Sequence, residues 1–275
     1  MTPPRCADLS RAAGEELAGT GIVATRWLCV ESTVPWGHDA VETGFPPAVA
    51  EHLAALDAKV LAIRRPGRRV RLTVFAGTTV EGGSTLRRLE LDELEELLAL
   101  DPWASGEPVH DVLLLVCTHG RRDACCSRLG IPVYHALDAL AGPELVWQCS
   151  HTGGHRFAAN VVGLPAGVTL GRVEPGLAPE VVTLLRAGRV PLDAYRGRSA
   201  YAAPVQAAEV AVRRARGLDV LDDLRFAGPG ELGPTFALAD GSGVTTAVEE
   251  LAGSDVVKSC GADPEPTTVY RVRLV

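Results

Sequence analysis

Two short segments of this 275-residue chain carry four of its seven cysteines and three of its seven histidines. The first runs Cys117-Thr118-His119-Gly120-Arg121-Arg122-Asp123-Ala124-Cys125-Cys126. The second runs Trp147-Gln148-Cys149-Ser150-His151-Thr152-Gly153-Gly154-His155-Arg156-Phe157. Soft sulfur donors next to imidazoles suit zinc or an iron–sulfur cluster. A His-x-x-x-His spacing on a helix puts both rings on one face. Here two central glycines, Gly153 and Gly154, disfavour that helix. The spacing predicts a loop that approaches a ligand closely, and Gly120 suits the same role in the first segment.

More than one donor set is compatible with these residues. Cys117-x-His119 and Cys149-x-His151 are both Cys-x-His steps from which a Rieske-type set can be assembled. That set ranks lower, because both steps fall at strand ends. Cys125 and Cys126 are adjacent, and either can supply a second thiolate. An odd cysteine count argues against a disulfide framework. Cys6, Cys29 and Cys260 are expected to be structural thiols. Cys149 shares a strand face with Trp147, so core packing and ligation weigh equally for it.

The elements must bring the two segments together. Val112 to Val116 and Leu145 to Cys149 read as buried strands, each ending at a motif. If they are parallel neighbours, their carboxyl ends meet where open α/β sheets bind ligands. Between them, Arg121 to Cys126 is polar and cysteine-rich, and Val133 to Ala141 reads as a helix. Upstream, Asp8 to Ala18 and Pro46 to Leu56 read as helices, and Ile22 to Val30, Val70 to Phe75 and Leu86 to Leu91 as strands. Val60 to Ile63 is a short apolar run, Arg64 to Arg69 a solvated turn, and Asp92 to Leu100 a helix. Downstream come strands at Phe157 to Leu164 and Val168 to Val173, and a helix at Pro179 to Ala187. Both halves thus read strand, helix, strand, strand, strand, helix. Gly67-Arg68-Arg69-Val70 and Gly154-His155-Arg156-Phe157 lead into a strand at matching places. The order predicts an α/β, thioredoxin-like fold in two degenerate repeats, with a small C-terminal α+β extension. The expected domains are 1–105 (degenerate copy), 106–200 (cluster-binding copy) and 201–275 (extension). In the extension, Pro204 to Arg216 is an amphipathic helix whose Arg213 to Arg216 run reads as solvated. Hairpin strands at Thr235 to Ala239 and Val244 to Val248 follow, and Tyr270 to Val275 reads as a last strand.

Hydrophobic residues make up 47% and charged residues 22%, which is enough to bury a core. The net charge of −7 comes without a clustered basic face, so no nucleic-acid partner is expected. The start lacks the layout of a secretory signal. The run Val112 to Cys117 is too short to span a bilayer. The expectation is a cytoplasmic protein without a membrane partner.

The paired motifs resemble those of the sucrase/ferredoxin-like family, relatives of the thioredoxin-like [2Fe–2S] ferredoxins. The likeness is dense over residues 111–173. It implies a [2Fe–2S] cluster held by Cys117, Cys126, His151 and His155, with Cys126 preferred over Cys125 for its spacing from Cys117. It implies no sugar-cleaving activity. Cys125, His119, Cys149, Gly153, Gly154 and Arg156 then become surrounding or alternative residues. Arg121, Arg122 and Arg156 are expected to stabilise a reduced, more negative cluster or to guide a partner. The resulting reading is an electron carrier or redox sensor, rather than a stand-alone enzyme, served by a redox protein or reductase. The competing readings are a zinc protein using the same Cys2His2 site and a thiol oxidoreductase using Cys125 or Cys126. The thiol reading ranks third, ahead only of a non-metal interaction module, because the chain has no Cys-x-x-Cys at a helix start.

Overall fold

The computed structural model describes residues 4–275 apart from 68, 69 and 143. In chain order the elements are α1 (Cys6–Ala12), β1 (Arg26–Glu31), α2 (Ala40–Gly44), α3 (Pro47–Ala55), β2 (Lys59–Arg64), β3 (Leu72–Thr78), β4 (Thr85–Leu91) and β5 (Glu107–Pro108). There follow β6 (Leu113–Cys117), α4 (Ala124–Ala141), β7 (Val146–Cys149), β8 (Val161–Leu164), β9 (Val168–Leu170), α5 (Ala178–Arg186) and β10 (Tyr195–Arg198). The chain ends with α6 (Ala203–Arg216), β11 (Leu224–Pro229), β12 (Pro234–Leu238), β13 (Gly243–Val257) and β14 (Pro264–Leu274).

The first ten strands form one mixed sheet in the order β10-β9-β8-β6-β7-β2-β1-β3-β4-β5. Its symmetry bears on the predicted duplication. In the first half β2 lies parallel to β1, β3 is antiparallel to β1, and β4 is antiparallel to β3. In the second half β7, β6, β8 and β9 repeat this order and these directions. The equivalent strands β2 and β7 meet antiparallel at the centre, with Ile63 opposite Cys149. Each half is thus a β-α-β unit followed by two antiparallel strands, and the pair shares one sheet. The Gly67–Val70 echo of Gly154–Phe157 falls partly outside the described residues.

Strand alternation sorts the core. Leu28 and Val30 of β1 pack under α2 and α3, while Leu114 and Val116 of β6 pack under α4 and α5. The opposite face carries Trp27, Cys29, Leu61, Ile63 and Phe75 from one half with Leu115, Cys117, Trp147 and Cys149 from the other, in one cluster. The sheet curls until its halves touch. Thr79, just after β3, donates to the Pro165 carbonyl in the β8–β9 turn at 2.9 Å.

Several elements differ from expectation. Helix α4 starts at Ala124, not Val133, so Cys125 and Cys126 lie on its first turn. Asp123 caps it by accepting from the Cys125 N–H at 2.8 Å. Gly130 and Pro132, residues that usually interrupt helices, lie inside this one. The 92–100 helix is a short 3₁₀ turn over Leu94–Leu98. Strand β8 begins at Val161 rather than Phe157, after a 3₁₀ turn at His155–Phe157. Of the 64–69 turn, Arg64 closes β2 and Arg65 is nearly buried against Asp138 and Glu144. Arg213 is not solvated. It is fully buried and pairs with Glu209 at 2.9 Å, and Glu209 also accepts from the Tyr195 hydroxyl.

The C-terminal strands form a four-stranded antiparallel sheet, β11-β12-β13-β14. Strands β13 and β14 run well beyond the expected hairpin, and their turn brings Ser259 and Cys260 back to the start of α4.

Candidate metal centre

Strands β6 and β7 are parallel neighbours, and Cys117 registers with Cys149 at their carboxyl ends. The first motif then turns through Thr118–Arg122 into α4, which lays its first turn back over the strand end. Close packing makes this approach possible. A Cβ on Gly130 would sit 2.2 Å from the Cys117 carbonyl oxygen, so only glycine lets α4 lie this near β6. The second motif leaves β7 as a loop. Gly153 and Gly154 have φ of +88° and +66°, and a Cβ on Gly154 would meet the Arg196 guanidinium at 2.4 Å. His151 and His155 are therefore presented by a loop and a 3₁₀ turn, not by one helical face.

Cys117, Cys126 and His151 converge, with their ligand atoms all within 4.8 Å of one another. Both sulfurs belong to fully buried side chains, and the Cys126 Sγ lies 3.9 Å from Nδ1 of His151. The His155 ring packs edge-on against His151, centroids 5.0 Å apart. Its Nδ1 lies 3.0 Å from Asp123 Oδ2, close but not aligned as a hydrogen bond, and its Nε2 faces the Ser259 hydroxyl at 3.2 Å. Burial outweighs Asp123 and holds His155 below the usual histidine range, so the ring is neutral and able to ligate.

The two thiols share their protons unequally. The Cys126 thiol, then the His151 ring and the His119 N–H, favour the thiolate at Cys117 and hold it well below an ordinary thiol, against the opposing effect of burial. Cys126 keeps its proton, raised by the same Cys117 contact and by burial. Cys117, Cys126 and His151 together form a donor group close enough to hold one metal ion, while the two ring nitrogens of His155 face Asp123 and Ser259. An open cavity of about 480 Å³ borders His151, Gly153 and Gly154, so solvent reaches the histidine side while the cysteine side is closed.

The other predicted residues divide. His119 turns away: its Nε2 donates to the Gly37 carbonyl at 2.7 Å and its ring packs edge-on to Trp36. Cys149 is buried beside Cys29 in the core, and burial pushes its thiol well up. Arg156 pairs with Glu15 at 2.7 Å and lies over the Phe157 ring. Arg121 is exposed, and Arg122 reaches His38 at 3.2 Å. Cys125 faces away from Cys126 and packs against Cys6 at 3.6 Å and Cys260 at 3.4 Å. Sequence reasoning gave Cys6 and Cys260 no more than a structural part, yet both meet Asp123 and Cys125. The available signal was a surplus of cysteines over the two that the motifs need.

The profile of the sucrase/ferredoxin-like family matches residues 17–197, a stretch containing both motifs. The chain belongs to this family. Among yeast proteins named "Altered inheritance of mitochondria protein 32", that of Meyerozyma guilliermondii is 34% identical over 101 residues, covering 33% of this chain and 36% of its own. That of Eremothecium gossypii is 31% identical over 116 residues, covering 36% of each chain. The family member described here thus spans about a third of the length of the curated relatives it matches. Two solved structures of a thioredoxin-like [2Fe–2S] ferredoxin from Aquifex aeolicus, one a cysteine-to-serine variant, are each 21% identical over 32% of this chain. They are covered over 91% and 99% of their lengths, with TM-scores of 0.28 and 0.29. Among the described residues, no helix is long and apolar enough to cross a membrane.

Proposed function

We propose that this chain is an electron carrier or redox sensor that holds one [2Fe–2S] cluster through Cys117, Cys126, His151 and His155. The observation that carries the reading is the convergence of two fully buried thiols with the His151 ring, beside a second histidine. One-electron transfer is the chemistry such a cluster supplies when bound. Cys117 and Cys126 provide sulfur from the closed side. His151 and His155 provide ring nitrogen from the side nearer solvent, where electron exchange with a redox protein or reductase is shortest. Two imidazoles in place of two thiolates leave the donor set less negative, which raises the potential relative to an all-cysteine site. Half-buried imidazoles also put titratable nitrogens within reach of solvent protons, so the potential is expected to depend on pH. Asp123 faces the His155 ring at 3.0 Å, the place a carboxylate commonly takes beside a metal-binding histidine.

The test is to purify the protein without oxygen and to measure iron, zinc and sulfide with absorption and EPR spectra on one sample. The expected result is about two iron and two sulfide per chain and an EPR signal that appears only on reduction. Cys126→Ser is expected to lose most of the iron and Cys125→Ser to keep it. The reverse ranking transfers the ligand role to Cys125. Zinc at this site without iron ends the electron-transfer reading.

A further inference from the structure

A second donor cluster lies on the far side of Asp123. The sulfurs of Cys6, Cys125 and Cys260 form a triangle with sides of 3.6, 3.4 and 3.6 Å. Asp123 Oδ1 stands 3.2 Å from the Cys260 sulfur and 3.7 Å from that of Cys6. Four donors at tetrahedral zinc, about 2.0–2.3 Å from the ion, lie roughly 3.3–3.8 Å from one another. The three sulfur–sulfur edges and the two from Asp123 Oδ1 to Cys260 and Cys6, 3.2 to 3.7 Å, are close to that size. The sulfur separations are far beyond the ~2.05 Å of a covalent disulfide, and three thiols cannot all pair with one another. Cys6 and Cys125 are fully buried, and Asp123 is nearly so.

The chain positions point to a structural role. Cys6 begins α1, Cys125 sits on the first turn of α4, and Cys260 lies in the β13–β14 turn. The side-chain environment is small, made of Ala7, Ala158, Leu129 and Val257 beside the three cysteines. Apolar burial alone gives these three distant segments little to hold them together. Asp123 is arranged to serve as fourth donor. The Cys260 N–H donates to Oδ2 at 2.8 Å and the Cys125 N–H to Oδ1 at 2.8 Å, which fixes the carboxylate with one lone pair of Oδ1 toward the sulfurs. Cys6 and Cys260 both lie outside the stretch that matches the family profile.

We propose that Cys6, Cys125, Cys260 and Asp123 form a closed, structural zinc site that ties the amino-terminal helix and the tip of the β13–β14 hairpin to the start of α4. A three-thiolate, one-carboxylate set with no open position is a holding site rather than a catalytic one. It is separate from the proposed cluster ligands, and it stands or falls independently of them. It shares only Asp123, whose other oxygen faces His155.

The test uses the full chain, expressed with zinc supplied and purified without oxygen. Zinc and iron are counted on the same sample, and zinc K-edge absorption gives the ligand shell. The expected result is one zinc ion per chain with three sulfurs at about 2.3 Å and one oxygen, alongside the iron. Cys6→Ser and Cys260→Ser are each expected to lower zinc about tenfold while iron stays within error. Iron without zinc in the wild-type protein overturns the zinc site and leaves the cluster standing. Zinc unchanged in both variants, or a disulfide joining two of the three cysteines in place of zinc, also overturns it. A zinc shell of two sulfurs and two nitrogens, with no iron, overturns both the zinc site and the cluster reading.

Discussion

The Asp123 carboxylate stands 3.0 Å from the His155 ring, Oδ2 to Nδ1, on the last loop position before α4. Burial would raise this carboxyl, but N–H groups of Cys260 and Cys125, the Cys260 thiol and the His155 ring together hold it below the usual range. A negative charge therefore faces a proposed ligand. Asp123→Asn keeps an oxygen to cap the Cys125 N–H but removes that charge. The account predicts retained iron and a reduction potential raised on the order of tens of millivolts, because the reduced state loses a repelling neighbour. Redox titration of the variant checks this. An unchanged potential would separate Asp123 from the centre.

Gly130 decides how close α4 comes to β6. Gly130→Ala drives a methyl group against the Cys117 carbonyl, a backbone atom that cannot swing aside. The expected cost is about 1–3 kcal/mol of stability, as for other overpacked sites, with Cys126 pushed away from Cys117. Urea unfolding and iron content measured on one preparation test both parts. Full iron with lowered stability would mean that the helix spacing is not what sets the thiol pair.

Cys29 lies in the cluster shared by the two halves of the sheet, and burial pushes its thiol up to about 12 from 9.0. The folded state thus binds this proton more tightly than the unfolded chain does. The resulting stability is present in full below the unfolded value and is lost as pH rises toward the folded one. From about pH 9 upward each unit costs ~1.4 kcal/mol through this group, up to about pH 12. Cys29→Ala should shrink the loss of stability between about pH 8 and about pH 10 by ~1.4 kcal/mol in anaerobic urea unfolding. An equal loss in both proteins would show that the thiol ionises freely.

The motif geometry was legible in the sequence because strand ends carry it. Apolar runs ending at Cys117 and Cys149 read as strands, and as parallel neighbours they bring the two segments together. Two glycines between His151 and His155 disfavour a helix, and both adopt positive φ in the loop that forms instead. The start of α4 was not legible. Gly130 and Pro132 signal a break, but Gly130 is needed for close approach to β6, and Pro132 is tolerated within the helix. The partnership of Cys6 with Cys260 spans 254 positions and leaves no local pattern to read. Arg213 sits in a run of charges typical of a solvated helix end, and only the fold reveals Glu209 and four backbone carbonyls waiting for it.

The central claim is a cluster with two histidine ligands beside two thiolates. Pulsed EPR of the dithionite-reduced protein, prepared with ¹⁵N-labelled histidine, tests it directly. The account predicts hyperfine coupling to two imidazole nitrogens, with one coupling lost in His151→Cys and the other in His155→Cys. A reduced [2Fe–2S] signal without histidine nitrogen coupling, or no paramagnetic species at all, would contradict it.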